Sequence, residues 1–401
     1  MTAPRFRLLL LATAIAFGGY ALLLPVVPLW VARGGSGAFG AGLTTGVLMA
    51  VTVATQLLVP AMLRWVGHRP VLVTGSLLLG VPAPLLALSA ELAPVLALSA
   101  VRGVGFGMVT VAGSALVAEL VEPSAHGRAS ARYGYAVGLP QLVFLPAGVA
   151  VVEVLGFTGV FLLAGATPVA GALVVAFVRG PRPERRRGRV PGPRGADREA
   201  GADPSPSGRV PADAGGPGAR SRGRRWPAAP ILAMLGCSTA QGGVITFAPL
   251  AVPGATVAVP AALFATALGA VLGRGWAGAR TDRSSRPGAL LPAGTLLAAA
   301  GLLGVLAAPL TPVLLVLGAA AVGAGFGVVQ NDAVVALFAA AGPQHYGGAS
   351  AAWNIAFDAG TGLGASGLGA IAEPFGFAAA FGTTAVVLLV LAPLVRRRPA
   401  A

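Results

Sequence analysis

Charged residues are scarce in this 401-residue sequence, where they make up only 10% of the chain. Soluble domains carry roughly 25% charged residues. A soluble protein of this length could not cover its surface with so few charged side chains. Lysine is absent, yet 28 arginines against 13 acidic residues give a formal net charge of +15. A basic chain first suggests nucleic-acid binding. The low charge density argues against a soluble nucleic-acid binder and favours a polytopic membrane protein with arginines in its loops.

Cysteine is almost absent as well. A single residue, Cys237, excludes an internal disulfide framework and any CxxC metal or redox site. His68, His126 and His345 fall in separate predicted loops, so no metal site is predicted. The sequence contains no GxxxxGK[ST] phosphate-binding loop, and no nucleophile-elbow or paired-carboxylate pattern stands out. Because these signatures are absent, we expect that the protein is not an enzyme and needs no cofactor.

Long apolar runs are abundant, because 56% of the residues are hydrophobic and the mean hydropathy is +0.81. A membrane-spanning helix needs about 20 mostly apolar residues. The first run follows Arg5 and Arg7 as in a signal peptide, but it continues to Val31 and is too long for one, so we expect it to be a retained membrane helix. The predicted spans form two groups of six: 6–31, 40–63, 70–90, 92–120, 130–154 and 157–178, then 228–251, 256–278, 288–308, 312–341, 347–371 and 375–395.

Residues 179–226 interrupt this pattern. The segment holds 13 arginines and 8 prolines with almost no large apolar residues, so it predicts a basic disordered cytoplasmic linker. Our interpretation is a solvated tether near anionic lipid headgroups, with a regulatory or partner site as the alternative. The predicted domains are therefore an N-terminal six-helix half, 1–178, the linker, 179–226, and a C-terminal six-helix half, 227–401.

The arginines outside the linker predict the topology. Thirteen of them lie at the termini or in the even-numbered connections between spans, while Arg33 alone lies on the opposite side. The positive-inside rule therefore places both termini and the linker in the cytoplasm. Arginine in place of lysine, with abundant Ala, Gly, Pro and Val, suggests a GC-rich bacterial genome and hence a multi-pass protein of the bacterial inner membrane. The thirteen are Arg5, Arg7, Arg64, Arg69, Arg128, Arg132, Arg274, Arg280, Arg283, Arg286, Arg396, Arg397 and Arg398.

An internal repeat relates the two groups of spans at an offset of 220 residues. Both groups begin and end on the same side, so the repeats are parallel, as in one large class of secondary transporters. The repeated glycines of the fourth and tenth spans are expected to allow close helix packing. The matching positions are 105–107 with 325–327, 129–131 with 349–351, Glu153 with Glu373, and 156–157 and Phe161 with 376–377 and Phe381.

Several short motifs support a family resemblance. Gly19 with 22–28 resembles a G…LLPxxP element, and 102–107 resembles an RxxxGxG element. Residues 278–283 with Arg286 resemble a GxxxDR…R loop, whose first-half counterpart, 60–69, keeps Gly67 and Arg69 but has Pro60 and Arg64 where the family has Gly and Asp. Of a GPxxGG element only Pro146 and Gly148 fit. With these motifs the chain resembles the major facilitator superfamily, near its twelve-helix drug/proton antiporters.

The resemblance implies an all-α integral membrane fold of twelve helices in two parallel repeats, working by alternating access as a monomer. It implies a secondary active transporter, with proton-coupled efflux of a small organic compound as its activity. The implied partners are this small-molecule substrate, protons and the lipid bilayer. The alternatives are a uniporter or importer of a metabolite such as a sugar, and a non-transporting membrane sensor or assembly protein of the same fold.

Three charged residues lie well inside predicted spans, away from the span ends: Arg102, Asp332 and Asp358. Such groups should face the bundle interior, because facing lipid is costly. Asp358 lies roughly 18 Å along its helix, near the membrane midplane. All three are candidates for proton coupling or substrate binding, and for Asp332 the structural alternative below is favoured. The alternatives are a structural hydrogen bond for Asp358, a helix-end cluster tied to a loop for Asp332, and pairing with a membrane acid for Arg102.

Two further groups of candidates complete the prediction. Asp282, beside arginines in a predicted loop, is expected to latch one access state. Asn354, Asp358 and Thr361 are predicted to share one helix face. The full latch set is Gly278, Asp282, Arg283, Arg286, Gly67 and Arg69. The possible cavity contacts are Tyr20, Gln56, Gln141, Gln241, Asn331, Trp353, Asn354 and Thr361.

Overall fold

The computed structural model describes residues 3–121, 126–177, 226–284, 286–342 and 346–396, and within these ranges all regular structure is helical. A 3-10 helix, Pro84–Leu88, lies between the third and fourth α-helices. The α-helices are α1 (Ala3–Arg33), α2 (Gly37–Val66), α3 (His68–Gly80), α4 (Leu92–Leu120), α5 (His126–Phe177), α6 (Ala228–Ala251), α7 (Ala258–Ser284), α8 (Leu291–Leu306), α9 (Pro312–Ala341) and α10 (Tyr346–Leu394).

Helices α5 and α10 are each about twice the length of a single membrane crossing, with 52 and 49 residues. Each is broken at a glycine with non-helical geometry: Gly156 has φ 66° and ψ 176°, and Gly376 has φ 82° and ψ 165°. Only glycine adopts this region readily, since it has no Cβ. The two breaks lie 220 residues apart, at the offset of the sequence repeat. Counting the helix on each side of a break separately gives twelve α-helical segments in the described chain.

Length and hydropathy support an integral membrane protein. Nine helices in the described ranges are long and apolar enough to cross a membrane, including the broken α5 and α10. The third predicted span, 70–90, is only partly α-helical, because Pro82 and Pro84 end α3 at Gly80 and the chain continues as the 3-10 helix. The ninth predicted span, 288–308, is reduced to the 16 residues of α8.

Close helix contacts recur in both repeats at the repeated glycines. A Cβ at Gly327 would overlap the carbonyl oxygen of Ala270, so α9 packs directly on the backbone of α7. A Cβ at Gly105 would lie 2.5 Å from the carbonyl oxygen of Gly75, which brings α4 against α3 in the same way. Contacts through small residues are the usual means of packing helices in a membrane. This is the packing role expected for these glycines.

The hydrophobic core is continuous between the two groups of helices. One cluster of buried side chains includes Tyr20 of α1, Met49 of α2, Phe247 of α6 and Leu368 of α10. The described residues before 181 and after 225 belong to one compact unit. The predicted linker lies outside the described residues except for Trp226. The division of the chain at 178 and 227 stays a prediction.

The two ends of the bundle differ in which helix ends meet there. The inner face is the end where α1 begins and α2 ends, and the outer face is the end where α1 ends and α2 begins. Large apolar side chains are exposed between these faces, among them Leu57 and Leu58 of α2 and Leu173 of α5. An exposed apolar belt of this kind is what a lipid-facing surface requires.

Candidate functional site

A polar contact joins the two repeats in the middle of the bundle. Asp358 of α10 is 2% exposed, and the Nε2 of Gln56 on α2 donates a 2.7 Å hydrogen bond to its Oδ2. The same Nε2 lies 3.3 Å from Thr110 Oγ1 on α4. The Oε1 of Gln56 is buried without a hydrogen-bond partner among the described residues. Asp358 and Gln56, both predicted site residues, are therefore in direct contact, and Thr110 is a third member that the sequence analysis missed.

The rest of the predicted face of α10 bonds within its own helix. Asn354 Nδ2 donates to the Ser350 carbonyl at 2.9 Å, and Thr361 Oγ1 donates to the Phe357 carbonyl at 3.0 Å. Such bonds to the preceding turn are common for short polar side chains in helices. Asp358 thus supplies the inter-helix hydrogen bond of this face.

Three aromatic side chains on α1 and α4 lie beside the Gln56–Asp358 contact. The ring of Tyr20 stacks on Phe106 with 4.0 Å between centroids and 12° between planes, and Phe17 meets Tyr20 edge-on at 6.0 Å. Tyr20 lies near both Asp358 and Arg102. The structure therefore brings three of the predicted site residues into one buried region.

Arg102 is enclosed on α4 but is not paired with Asp358. Its side chain is buried, and its Nε donates to the Leu79 carbonyl at 3.4 Å. The two ion pairs formed among the described residues are Arg33 with Glu153 and His68 with Glu119, so Arg102 has no described acid within 4.0 Å. It lines a small cavity of about 10 Å³ together with Tyr20 and Ser99. The predicted pairing with a membrane acid is therefore not present as a direct contact.

Asp332 lies near the inner face, away from Asp358. Its carboxylate is fully buried and accepts hydrogen bonds from the backbone N–H groups of Gly288 at 2.9 Å and Leu290 at 2.7 Å. These groups precede the first residue of α8, where a negative charge also interacts favourably with the helix dipole. This geometry favours the alternative interpretation of Asp332, a helix-end group tied to a loop.

Two other predicted contacts lie on the same inner side. Trp353 Nε1 donates to the Gln330 carbonyl at 3.1 Å, and its ring lies 6.2 Å from that of Phe357. Asn331 faces Gly278, where an added Cβ would lie 3.8 Å from Asn331 Oδ1. The structure thus places Asn331 beside the α7 part of the predicted latch and Trp353 against α9.

The two glutamines farther along the chain do not join Asp358. Gln141 Nε2 donates to the Val137 carbonyl of its own helix at 3.2 Å. Gln241 is buried in α6. Neither is hydrogen-bonded to the Gln56–Asp358 contact in the described structure.

The predicted latch residues of the second repeat lie mostly on a helix. Residues 278–284 form the last turns of α7, and Arg283 and Arg286 are exposed. The side chain of Asp282 lies outside the described residues. The expectation that this motif is a loop is corrected for its first seven residues, because the helix continues to Ser284.

In the first repeat, the corresponding connection between α2 and α3 is hydrogen-bonded to the ends of neighbouring helices. Gly67 ends α2 with φ 82°, a conformation that favours glycine. Arg69 donates a hydrogen bond to the Ala176 carbonyl near the end of α5, and His68 Nδ1 lies 3.3 Å from Glu119 Oε2 near the end of α4. The contact between His68 and Glu119 is new from the structure. The latch function of these residues stays a prediction.

The outer face carries a contact that the sequence analysis did not assign. Glu373 Oε2 on α10 accepts hydrogen bonds from the backbone N–H groups of Ala38 at 2.6 Å and Phe39 at 3.1 Å, at the first turn of α2. A Cβ at Gly42 would overlap the Ala365 carbonyl, so the backbones of α2 and α10 touch just below. These contacts close the outer ends of the two helices. The only sequence signal for the Glu373 contact is the repeat that pairs Glu373 with Glu153.

No group of three or more His, Cys, Asp or Glu side chains in the described ranges is arranged to hold a metal ion. The polar groups of the central region are a carboxyl, an amide, a phenol, a guanidinium and hydroxyls. Their arrangement is suited to hydrogen bonding and charge interaction with a small solute or a proton.

Known membrane transporters share the fold of this chain. The profile of the Major Facilitator Superfamily matches residues 9–331. Two structures of a bacterial homologue of the human lysosomal transporter Spinster are similar, each at 16% identity: the inward-facing unoccupied form has a TM-score of 0.74 with 99% of both chains covered, and the inward-facing occupied form 0.71 with 98% of both chains covered.

A POT family transporter in complex with 5-aminolevulinic acid has a TM-score of 0.72 and 13% identity, with 97% of this chain and 95% of that chain covered. At such identities the similarity shows the fold alone. No curated protein matches the sequence. The family profile covers well over half of the residues, and by this match the chain belongs to the Major Facilitator Superfamily.

Proposed function

We propose that this chain is a secondary active transporter that exports a small organic compound in exchange for protons. The observation that carries the proposal is the buried carboxyl of Asp358, hydrogen-bonded to Gln56 of the other repeat. Membership of the superfamily supports transport, and Asp358 supports coupling of that transport to protons. In this proposal the protein is a drug/proton antiporter-type permease, works as a monomer in the bacterial inner membrane and has both termini in the cytoplasm.

Asp358 is suited to coupling because its hydrogen bond responds to protonation. A charged carboxylate accepts a stronger hydrogen bond from an amide N–H than a neutral carboxyl does. Gain of a proton by Asp358 therefore weakens the Gln56–Asp358 bond between α2 and α10. Loss of that proton restores the bond, so the proton state of one side chain is linked to how firmly the two repeats are joined.

The outer contact supplies the second element of alternating access. Glu373 and the glycine contacts below it hold the outer ends of α2 and α10 together. Opening the outer face requires these hydrogen bonds to break while both repeats keep their internal packing. We propose that the repeats rock about the region of Asp358, with substrate bound between them.

The proposal is tested with Asp358→Asn in proteoliposomes, using compounds that a screen of overexpressing and deletion strains identifies as exported. Asparagine keeps the size of the side chain and an oxygen that accepts from Gln56, but it cannot exchange a proton. We expect accumulation driven by an imposed pH gradient to fall to background while exchange of labelled for unlabelled compound across the membrane persists. The two assays together separate proton coupling from substrate binding.

Glu119→Gln is the matched control, because it also removes a carboxyl but at the inner end of α4, beside His68. It should retain gradient-driven accumulation. Unchanged gradient-driven transport in Asp358→Asn contradicts the coupling role. A wild-type protein that transports without any response to a pH gradient favours the uniporter alternative, and one that transports none of the compounds favours the sensor or assembly alternative.

A further inference from the structure

Arg102 presents a buried positive charge with no direct counter-charge. It lies on α4, ten residues after the helix begins, and is 3% exposed. Arginine keeps its charge in proteins, and an unpaired charge in a membrane interior is strongly unfavourable. Its Nε bonds to the Leu79 carbonyl, and its other guanidinium N–H groups make no hydrogen bond to a described residue. A negative group beside Arg102 would therefore stabilise this buried charge.

Ser99 supplies a second, independent sign of a missing ligand. It lies three residues before Arg102 on the same helix, so the two side chains point to one face. Ser99 is 1% exposed, and its Oγ is buried without a hydrogen-bond partner in the part of the chain that the structure describes. Buried hydroxyl groups are nearly always hydrogen-bonded, so this one indicates a binding partner.

Both side chains open into the same cavity. Its walls come from α1, α2 and α4 and include Tyr20, Thr44 and Thr45. The volume of about 10 Å³ is close to the space that a single water molecule needs. None of the described residues that line it is acidic. The cavity thus combines one permanent positive charge with hydroxyl donors, and a water molecule in it leaves the charge unbalanced.

We propose that this cavity binds one small negatively charged group, for which Arg102 supplies the charge and Ser99 a hydrogen bond. All of its lining residues belong to the first repeat, whereas the Gln56–Asp358 contact lies between the repeats. A free halide ion has the charge and nearly the size that the cavity offers. A carboxylate, free or on a transported compound, offers the same chemistry when one of its oxygens enters the cavity.

This inference goes beyond the proposed function, because binding of an anion at Arg102 requires neither export nor proton coupling. Its test reads binding and not transport, so a failure of the Asp358 experiment leaves it intact and its own failure leaves the proposed function intact.

The test measures thermal unfolding of the purified full-length protein in detergent at constant ionic strength. Sodium methanesulfonate, whose bulky anion has no carboxylate, is replaced stepwise by sodium chloride in one series and by sodium formate in another. We expect the unfolding midpoint to rise and saturate with chloride, and the half-saturating concentration to be about tenfold higher in Ser99→Ala, as for loss of one hydrogen bond to a charged group. Arg102→Gln should remove the response altogether.

Ser114→Ala is the matched control, since Ser114 lies on the same helix but is exposed and bonds to the Val111 carbonyl at 3.0 Å. It should respond to chloride as the wild type does. A saturating response to formate alone also supports the site and identifies a carboxylate as its ligand. The proposal is overturned if neither anion gives a saturating response, or if Ser99→Ala and Ser114→Ala respond alike. Ser99→Ala decides the matter even where Arg102→Gln fails to fold.

Discussion

Glu373 shows how a single side chain holds two helices that the sequence separates by more than 330 residues. Its carboxylate accepts hydrogen bonds from two backbone N–H groups at the first turn of α2, where such groups have no partner within the helix. The equivalent acid of the first repeat, Glu153, lies 3.9 Å from Arg33 of its own repeat. The outer contact between the repeats is therefore one-sided, and Glu373 is the member that crosses.

We expect Glu373→Gln to weaken the outer closure. Glutamine retains one acceptor oxygen but loses the charge that strengthens both hydrogen bonds. Ser366 faces Gly46 of α2. In a Cys237→Ala background, Ser366→Cys therefore reports opening of the outer face through the rate at which its thiol reacts with a membrane-impermeant maleimide. The rate should rise by roughly two- to fivefold, the modest effect expected at an exposed position.

Glu153→Gln is the control for that measurement, because it makes the same change at the repeat-related position. Its labelling rate should equal that of the parent protein. Equal rates in all three proteins, or an equal rise in both variants, speaks against Glu373 as the group that holds the outer face closed.

At the scale of helices, the length of the apolar runs predicts the elements well. The predicted spans 92–120, 228–251 and 312–341 coincide with α4, α6 and α9 to the residue. The differences arise where local backbone chemistry overrides hydropathy, as at Pro82 and Pro84 after α3. The motif at 278–286 was expected in a loop because it is polar, but a polar segment can extend a helix beyond the apolar region.

The candidate site was harder to predict, because its contacts join distant parts of the chain. Periodicity and depth identify Asp358 as an interior acid. They do not show that its partner is Gln56, 302 residues earlier, because that depends on how the two repeats pack. Thr110, Ser99 and Glu373 were not predicted as site residues for the same reason. Asp332 lies in a helix interior by hydropathy, yet its hydrogen bonds serve the backbone before α8.

Helix packing provides a stability prediction for α7 and α9. Gly327→Ala places a Cβ against backbone atoms of α7, which cannot rotate away as a side chain can. We expect this variant to lose about 1–3 kcal/mol in its free energy of unfolding, the usual cost of overpacking. The lower unfolding temperature is measurable in detergent by loss of the monodisperse chromatographic peak after heating.

Gly275→Ala is the comparison variant for this prediction. It lies on α7, one of the same two helices, and no heavy atom outside its immediate chain surroundings lies within 4 Å of the added Cβ. Alanine also favours a helix over glycine by about 1 kcal/mol, so its unfolding temperature should stay level or rise slightly. A decrease as large as that of Gly327→Ala contradicts the packing argument.

For the whole molecule, the distribution of arginine predicts the orientation in the membrane. A green fluorescent protein fused after Ala401 should fluoresce, since it folds and matures in the cytoplasm. Alkaline phosphatase, which is active only after export, should be active when fused after Gly35 in the first outer connection. It should be inactive when fused after Gly67 in the first inner connection. The reverse pattern contradicts the predicted orientation.

The glycine breaks at 156 and 376 join their helices with no loop between them. The other outer connections in the described chain are short or partly helical: 34–36, 252–257, 307–311, and 81–91, which contains the 3-10 helix. With the outer face toward the cell exterior, a nanobody or drug-like blocker approaching from outside finds helix ends and the seam at Ala38 and Glu373 in place of flexible epitopes. We expect a binder that contacts both sides of that seam to discriminate between the open and closed forms and to inhibit by stabilising one of them.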